Sequence, residues 1–299
     1  MPEVTAKQFM ALGLKAAGYP RWHAYKEERN IERFQAYYGA VPAAFAAIWK
    51  DLLETENENY KLSAEEAKHP INLLIAIRWT WKYETERELC LRFGIKSEKT
   101  ISKIYKAWAH KVKLLFRDKL PSLEQFSDEE LIFLFSIDGT HCPIEEPRPF
   151  STDWSSFKFG DNAGVSYEIM LLIHKPQVAW VRGPIPPGAY NDIKTFKMKL
   201  MEKMETILPE KRIVGDKGYR GAKHIISTRN EFDPEEIAEW KDRVLARQES
   251  FNESIKCFKV CRDIFRHGVE NHSIAFEAVL CVIQYSINEG SYMLFDPYL

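Results

Sequence analysis

Residues 131–139 read Leu-Ile-Phe-Leu-Phe-Ser-Ile-Asp-Gly. A short, continuous apolar run closed by Asp-Gly predicts a central strand with a turn at its exit. Asp138 then stands just past the strand. Downstream, Val165–His174 and Gln177–Val181, joined by Lys175-Pro176, predict a hairpin, and Gly183-Pro-Ile-Pro-Pro-Gly188 breaks the sheet. Asn191 is placed to cap a helix running to about Leu208. Arg212–Gly215 predicts a short strand that delivers Asp216, and His224–Thr228 a further one. Pro234 to about Arg266 reads as helix in one or two pieces. Ser273–Asn288 is apolar on most faces and reads as a core helix.

Three strands, a helix, one or two strands and closing helices give an α/β class, laid out as a ribonuclease H-like mixed sheet flanked by helices. Upstream the texture is helical. Ile31–Leu53 is interrupted by Gly39 and Pro42, and Ile71–Tyr83 and Thr85–Phe93 follow. From Glu98 to about Arg117, Ile101, Ile104, Trp108, Val112 and Leu115 recur at three- and four-residue steps. The acidic stretch Ser127–Glu130 marks the expected boundary between a helical domain, 1–128, and the α/β domain, 129–299. Trp79, Trp81, Phe93 and Trp108 are expected in the core.

Of the 299 residues, 45% are hydrophobic and 28% charged, as in ordinary globular proteins. No run of 18 apolar residues predicts a membrane span. Met1–Gly18 does not read as a secretory signal. Five scattered cysteines suit reduced thiols in a cytosolic or nuclear setting. Cys257 and Cys261 lie one helical turn apart, but their spacing to His267 is unlike a zinc finger, so buried thiols are expected.

The net charge of −1 excludes a strongly basic DNA-coating protein. Lys96–Lys119 nonetheless carries eight Lys or Arg against two acids, whereas Pro121–Glu146 carries seven acids and no Lys or Arg. Such polarity can turn a basic face to phosphates, although helix exteriors are commonly charged.

Asp138 and Asp216 each follow an apolar strand, where α/β sheets gather active-site groups. Glu249 lies on a helix that could lower a third acid onto them. Converging carboxylates repel unless a divalent cation lies between them, and hard oxygen ligands suit Mg²⁺ or Mn²⁺. Two such ions support in-line displacement at phosphorus. Spacing alone is a weak signal, because a strand-end acid is often a turn or cap residue.

Several motifs occur in order. Asp138-Gly-Thr-His141 is followed by Tyr167-Glu168, Gly183-Pro-Ile-Pro-Pro-Gly188 and Asn191-Asp192. Then come Gly215-Asp-Lys-Gly-Tyr-Arg-Gly221, Glu249-Ser-Phe-Asn-Glu-Ser-Ile-Lys256 and Phe265-Arg-His267. Together, over about residues 131–295, they resemble DDE superfamily endonucleases, the Harbinger-type transposases. The resemblance implies Asp138, Asp216 and Glu249 as catalytic and metal-binding residues, Mg²⁺ or Mn²⁺ as cofactor, and cutting and joining of transposon-end DNA. Leu245 stands where the family often has arginine. Glu253, one helical turn on, is the alternative third acid, and the step from Glu249 to Lys256 favours Glu249. A domesticated, catalytically inactive DNA-binding protein is the alternative function.

Thr85–Lys106 resembles a helix-turn-helix, with Gly94 at the turn and Ser97 capping the second helix. Lys96, Lys99 and Lys103 would face DNA. Lys217 and Arg220 are candidates for phosphate contact, though their glycine-flanked loop could be only a turn. Lys256 belongs to a basic stripe with Lys259, Arg262 and Arg266, or to a solvated helix face. Asp192 is read either as a fourth acid or, preferentially, as a first-turn helix residue favoured by the dipole. His141 is read as a site contact or a plain loop residue. Synapsis of DNA ends implies a homo-oligomer. The resemblance raises a Myb-like DNA-binding partner and, for a eukaryotic source, a nuclear location, otherwise a cytoplasmic one.

Overall fold

The computed structural model describes residues 3–149, 151–227 and 232–290. The chain forms two compact units. One comprises Met1–Lys119, Ile255–Arg262 and Asn271–Met293; the other Leu120–Ser254, Asp263–Glu270 and Leu294–Leu299. The units therefore do not follow a single cut at 128.

The first unit is helical: α1 (Ala6–Ala16), α2 (Glu27–Tyr38), α3 (Pro42–Glu54), α4 (Ile71–Lys82), α5 (Glu86–Phe93) and α6 (Glu98–Lys119). Gly39, left-handed at φ 80°, ends α2, and Pro42 opens α3, so the expected interruption is a helix–helix junction. The core is aromatic. Phe34, Tyr38, Phe45 and Trp49 are fully buried, and Trp49 stacks on Trp108 at 5.6 Å. Trp79 is buried as well, and Trp81 and Phe93 are half-buried. Arg117 grips the buried Glu277 through two charge-assisted hydrogen bonds, 2.5 and 2.8 Å. That pair helps to place the closing helix residues in this unit.

Within it, Thr85 and Glu88 form a capping box at α5, Gly94 turns the chain at φ 68°, and Ser97 Oγ accepts from Thr100 N at 3.3 Å. Tyr105 of α6 donates to Glu86 of α5 at 2.6 Å. The α5–Gly94–α6 segment is thus a helix–turn–helix in geometry.

The second unit holds a five-stranded mixed sheet: β1 (Phe133–Pro143), β2 (Gly164–Leu172), β3 (Val178–Ile185), β4 (Arg212–Gly215) and β5 (Ile225–Ser227), in the order β3-β2-β1-β4-β5. Strands β1–β2 and β2–β3 pair antiparallel, and β1–β4 and β4–β5 parallel. The helix α7 (Asp192–Ile207) connects β3 to β4. The helix α8 (Glu235–Cys257) follows β5, then α9 (Lys259–Arg262) and α10 (Val269–Asn288). On one sheet face Phe135, Ile137, Met170 and Ile213 pack on Phe196, Leu200 and Met204 of α7. Val214 and Ile173 pack on Val244 and Trp240 of α8.

Three expectations change. The central strand does not turn at Asp138-Gly139; it begins at Phe133 and runs on to Pro143, because β2 pairs with it out to Gly164. Leu131 and Ile132 lie outside it, exposed. The Gly183-Pro184 step belongs to β3, which ends only at Ile185. The last strand is Ile225–Ser227, and the expected Thr228 lies outside the described residues.

Candidate active site

The ladder between β1 and β4 ends at Ile137 and Gly215, while β1 continues. Near that point lie acids from three elements whose charges are coupled. Strand β1 supplies Asp138. Its Oδ1 accepts from the Gly139 amide at 2.7 Å, and its Oδ2 from Asn252 Nδ2 of α8 at 2.7 Å. Asp216 leaves β4 and accepts from the Gly218 amide at 2.8 Å, capping the short turn Lys217–Tyr219.

A further acid nearby is Asp192, the first residue of α7, behind its cap Asn191. A β-carbon built on Gly139 would stand 2.8 Å from Asp192 Oδ1. One on Gly218 would stand 2.3 Å from Asp192 Oδ2 and 3.0 Å from Asp216 Oδ1. Two glycines, one after each expected catalytic aspartate, thus make the room that Asp192 fills. Asp192 holds the first-turn helix position expected of it, and its carboxylate lies against both glycines.

The charges feel each other. Burial first, then the charges of Asp216 and Asp192, raise the Asp138 carboxyl to about 7, against the Gly139 amide and the Lys158 ammonium. Burial and the charge of Asp216 raise Asp192, again opposed by Lys158. Lys158, from the loop between β1 and β2, lies with its Nζ 3.4 Å from the Gly139 carbonyl.

Behind Asp192 is a buried polar group. Glu168 of β2 stands directly across from Gly139, so it points to the same sheet face. It is 1% exposed, and neither carboxyl oxygen has a hydrogen-bond partner. Burial pushes it up to about 8, against Arg182 and the neighbouring Trp180 indole. The Tyr219 hydroxyl, also buried and without a partner, is pushed up by burial, then by Glu168 and the three aspartates.

Glu249 and its alternative Glu253 are exposed on α8. The residues that α8 turns to the sheet are Gln248, which accepts from Ser136 Oγ at 2.6 Å, and Asn252. Arg247 is buried and donates to the carbonyls of Leu172 and Lys175, holding the β2–β3 turn. His141 is on β1, not in a loop, and its Nδ1 meets Ser156 Oγ at 2.8 Å. Lys217 and Arg220 are exposed on either side of the buried Tyr219. Lys96, Lys99 and Lys103 are exposed in the helical unit. Lys256, in the same unit, is half-buried and donates to the Cys261 carbonyl at 3.2 Å. Cys261 is buried as expected; Cys257 is exposed.

Sequence reasoning missed Asn252 and Lys158, whose contacts to Asp138 and Gly139 join residues far apart in the chain. A signal for Asn252 existed: it lies three residues after Glu249, on the adjoining helical face.

The donor set is chemically right for a hard divalent cation: carboxylate oxygens from three elements, two of them with ionisation held back by burial and mutual repulsion. As they stand, no three acid, imidazole or thiol side chains among the described residues are drawn in around a common point. Asp138 instead has both oxygens engaged by Gly139 and Asn252. No protein-family model matches the chain, and neither curated proteins nor solved structures give a significant match.

Proposed function

We propose that this protein is a metal-dependent nuclease of the DDE type with a ribonuclease H-like fold, acting as a transposase on DNA. The observation that carries the reading is the placement of Asp138 and Asp216 near the end of the β1–β4 ladder, with Asp192 packed against Gly139 and Gly218 and the three charges coupled. The element order and the mixed sheet support the fold reading. Bound Mg²⁺ or Mn²⁺ would supply charge neutralisation and activation of the attacking and leaving oxygens at phosphorus.

Asp138, Asp216 and Asp192 would hold the cation. Asn252 fixes the Asp138 carboxylate by donating to Oδ2. Glu249, on the exposed flank of α8 three residues before Asn252, is the acid this helix offers to the same cation. Lys217 and Arg220, exposed beside Asp216, would hold backbone phosphates. Lys96, Lys99 and Lys103, at and near the start of α6, would bind DNA from the helical unit.

The test is nicking of supercoiled plasmid by the purified protein with Mg²⁺ or Mn²⁺. Wild type should nick, and Asp138→Asn and Asp216→Asn should fall to background with unchanged melting temperatures. DNA binding without nicking by wild type would favour the inactive DNA-binding protein. Nicking that survives Asp138→Asn would sink the scheme.

A further inference from the structure

The loop between β1 and β2 carries Ser156-Phe-Lys-Phe-Gly160. It is a built element. Ser156 N donates to the Asn162 carbonyl at 3.0 Å, Asp161 N to the Ser156 carbonyl at 3.1 Å, and Asn162 Nδ2 to the Phe159 carbonyl at 2.7 Å. Ser156 is buried and its hydroxyl meets His141 on β1. From this base Lys158 reaches the Gly139 carbonyl and lowers the proton affinity of both Asp138 and Asp192. Phe157, by contrast, is 76% exposed, with its ring propped edge-on against His141 at 5.6 Å. A single exposed apolar side chain is ordinary. An exposed aromatic ring fixed beside a lysine at an acidic site is the pairing used to hold an unpaired nucleotide: cation on phosphate, ring on base.

We infer that the loop 156–160 grips the nucleic-acid strand at the carboxylate site, with Lys158 on a phosphate oxygen and Phe157 stacked on the adjacent unpaired base. The inference rests on the nuclease reading above. An anionic strand approaching three carboxylates needs positive charge beside them, and Lys158 is already there. Both side chains are exposed, so replacing them leaves the fold intact.

The probe is a DNA duplex with a single-stranded overhang carrying 2-aminopurine, in Ca²⁺ to bind without cutting. Wild type should quench the 2-aminopurine emission. Phe157→Ala should lose the quench and bind about tenfold more weakly, with the salt dependence unchanged. Lys158→Met should keep the quench but lower the slope of log affinity against log salt by about 0.7, one single-strand phosphate. A wild type that binds this probe, with both variants matching it in quench and slope, overturns the loop's role and leaves the nuclease reading standing. A wild type that does not bind the probe overturns both.

Discussion

The Asp192 carboxylate occupies the space that a side chain at residue 218 would need: its Oδ2 lies 2.3 Å from where a β-carbon on Gly218 would stand. Gly218 follows Asp216 by two residues, so the absence of a side chain there brings the second and third acids together. Gly139 does the same beside Asp138. The acids and the glycines form one packing unit.

Gly218→Ala tests that unit. Its backbone is not left-handed, so alanine is not strained by conformation; the clash is with the carboxylate itself. The added methyl should displace Asp192, cost about 1–3 kcal/mol of stability as overpacking does, and weaken Mn²⁺ binding at least tenfold. Thermal melting and calorimetry read the two effects. Unchanged metal affinity would show that Asp192 is not part of the site.

Asn252→Ala removes the donor that holds Asp138 Oδ2. A hydrogen bond to a charged group contributes about 1.5–3 kcal/mol, so Mn²⁺ affinity or nicking should fall roughly tenfold to a hundredfold. Asn252→Leu, which also removes the donor, should show the same loss. Wild-type metal binding in both variants would remove Asn252 from the account.

Stability in a chelator should fall as pH rises. Asp138 is raised from 3.8 to about 7 and Glu168 from 4.5 to about 8. Between those limits the native state holds protons that the unfolded chain has released, so these groups favour folding fully below about pH 4 and lose that contribution as pH climbs through 7 and 8. Melting temperature should therefore drop from pH 5 to pH 8, and Glu168→Gln should flatten the drop. Identical pH profiles for wild type and Glu168→Gln would contradict the buried, protonated Glu168.

The sequence carried the sheet and most of its helices because their signals are local. The apolar run before Asp138, the Asn191 cap and the Gly39–Pro42 break each act over a few residues. The turn read at Asp138-Gly139 failed because that glycine serves a close approach rather than a bend, and only the pairing with β2 reveals it. Asp216 was legible just past a strand, whereas Asp138, read the same way, lies within β1, which runs on to Pro143. Asp192 was half legible: a first-turn acid and a site acid look alike in sequence. Asn252 stood inside the third motif, but its contact with Asp138, like the reach of Lys158 and the burial of Glu168, joins separate segments of the chain and is not carried by a local pattern.

Replacing Lys96, Lys99 and Lys103 together by alanine should weaken duplex DNA binding and reduce its salt slope by up to about 2.7, with no change in melting temperature, since all three are exposed. Filter binding over a salt series measures it. An unchanged slope would remove the α5–α6 segment from the DNA-binding surface.

The most direct test of the three-acid site is calorimetric titration of Mn²⁺, without nucleic acid, into wild type and Asp192→Asn. Asparagine keeps the shape and removes the charge, so the fold should hold. The account predicts a saturable site in wild type and at least tenfold weaker binding in the variant. Superimposable titrations of the two folded proteins, or no saturable binding in wild type, would contradict it.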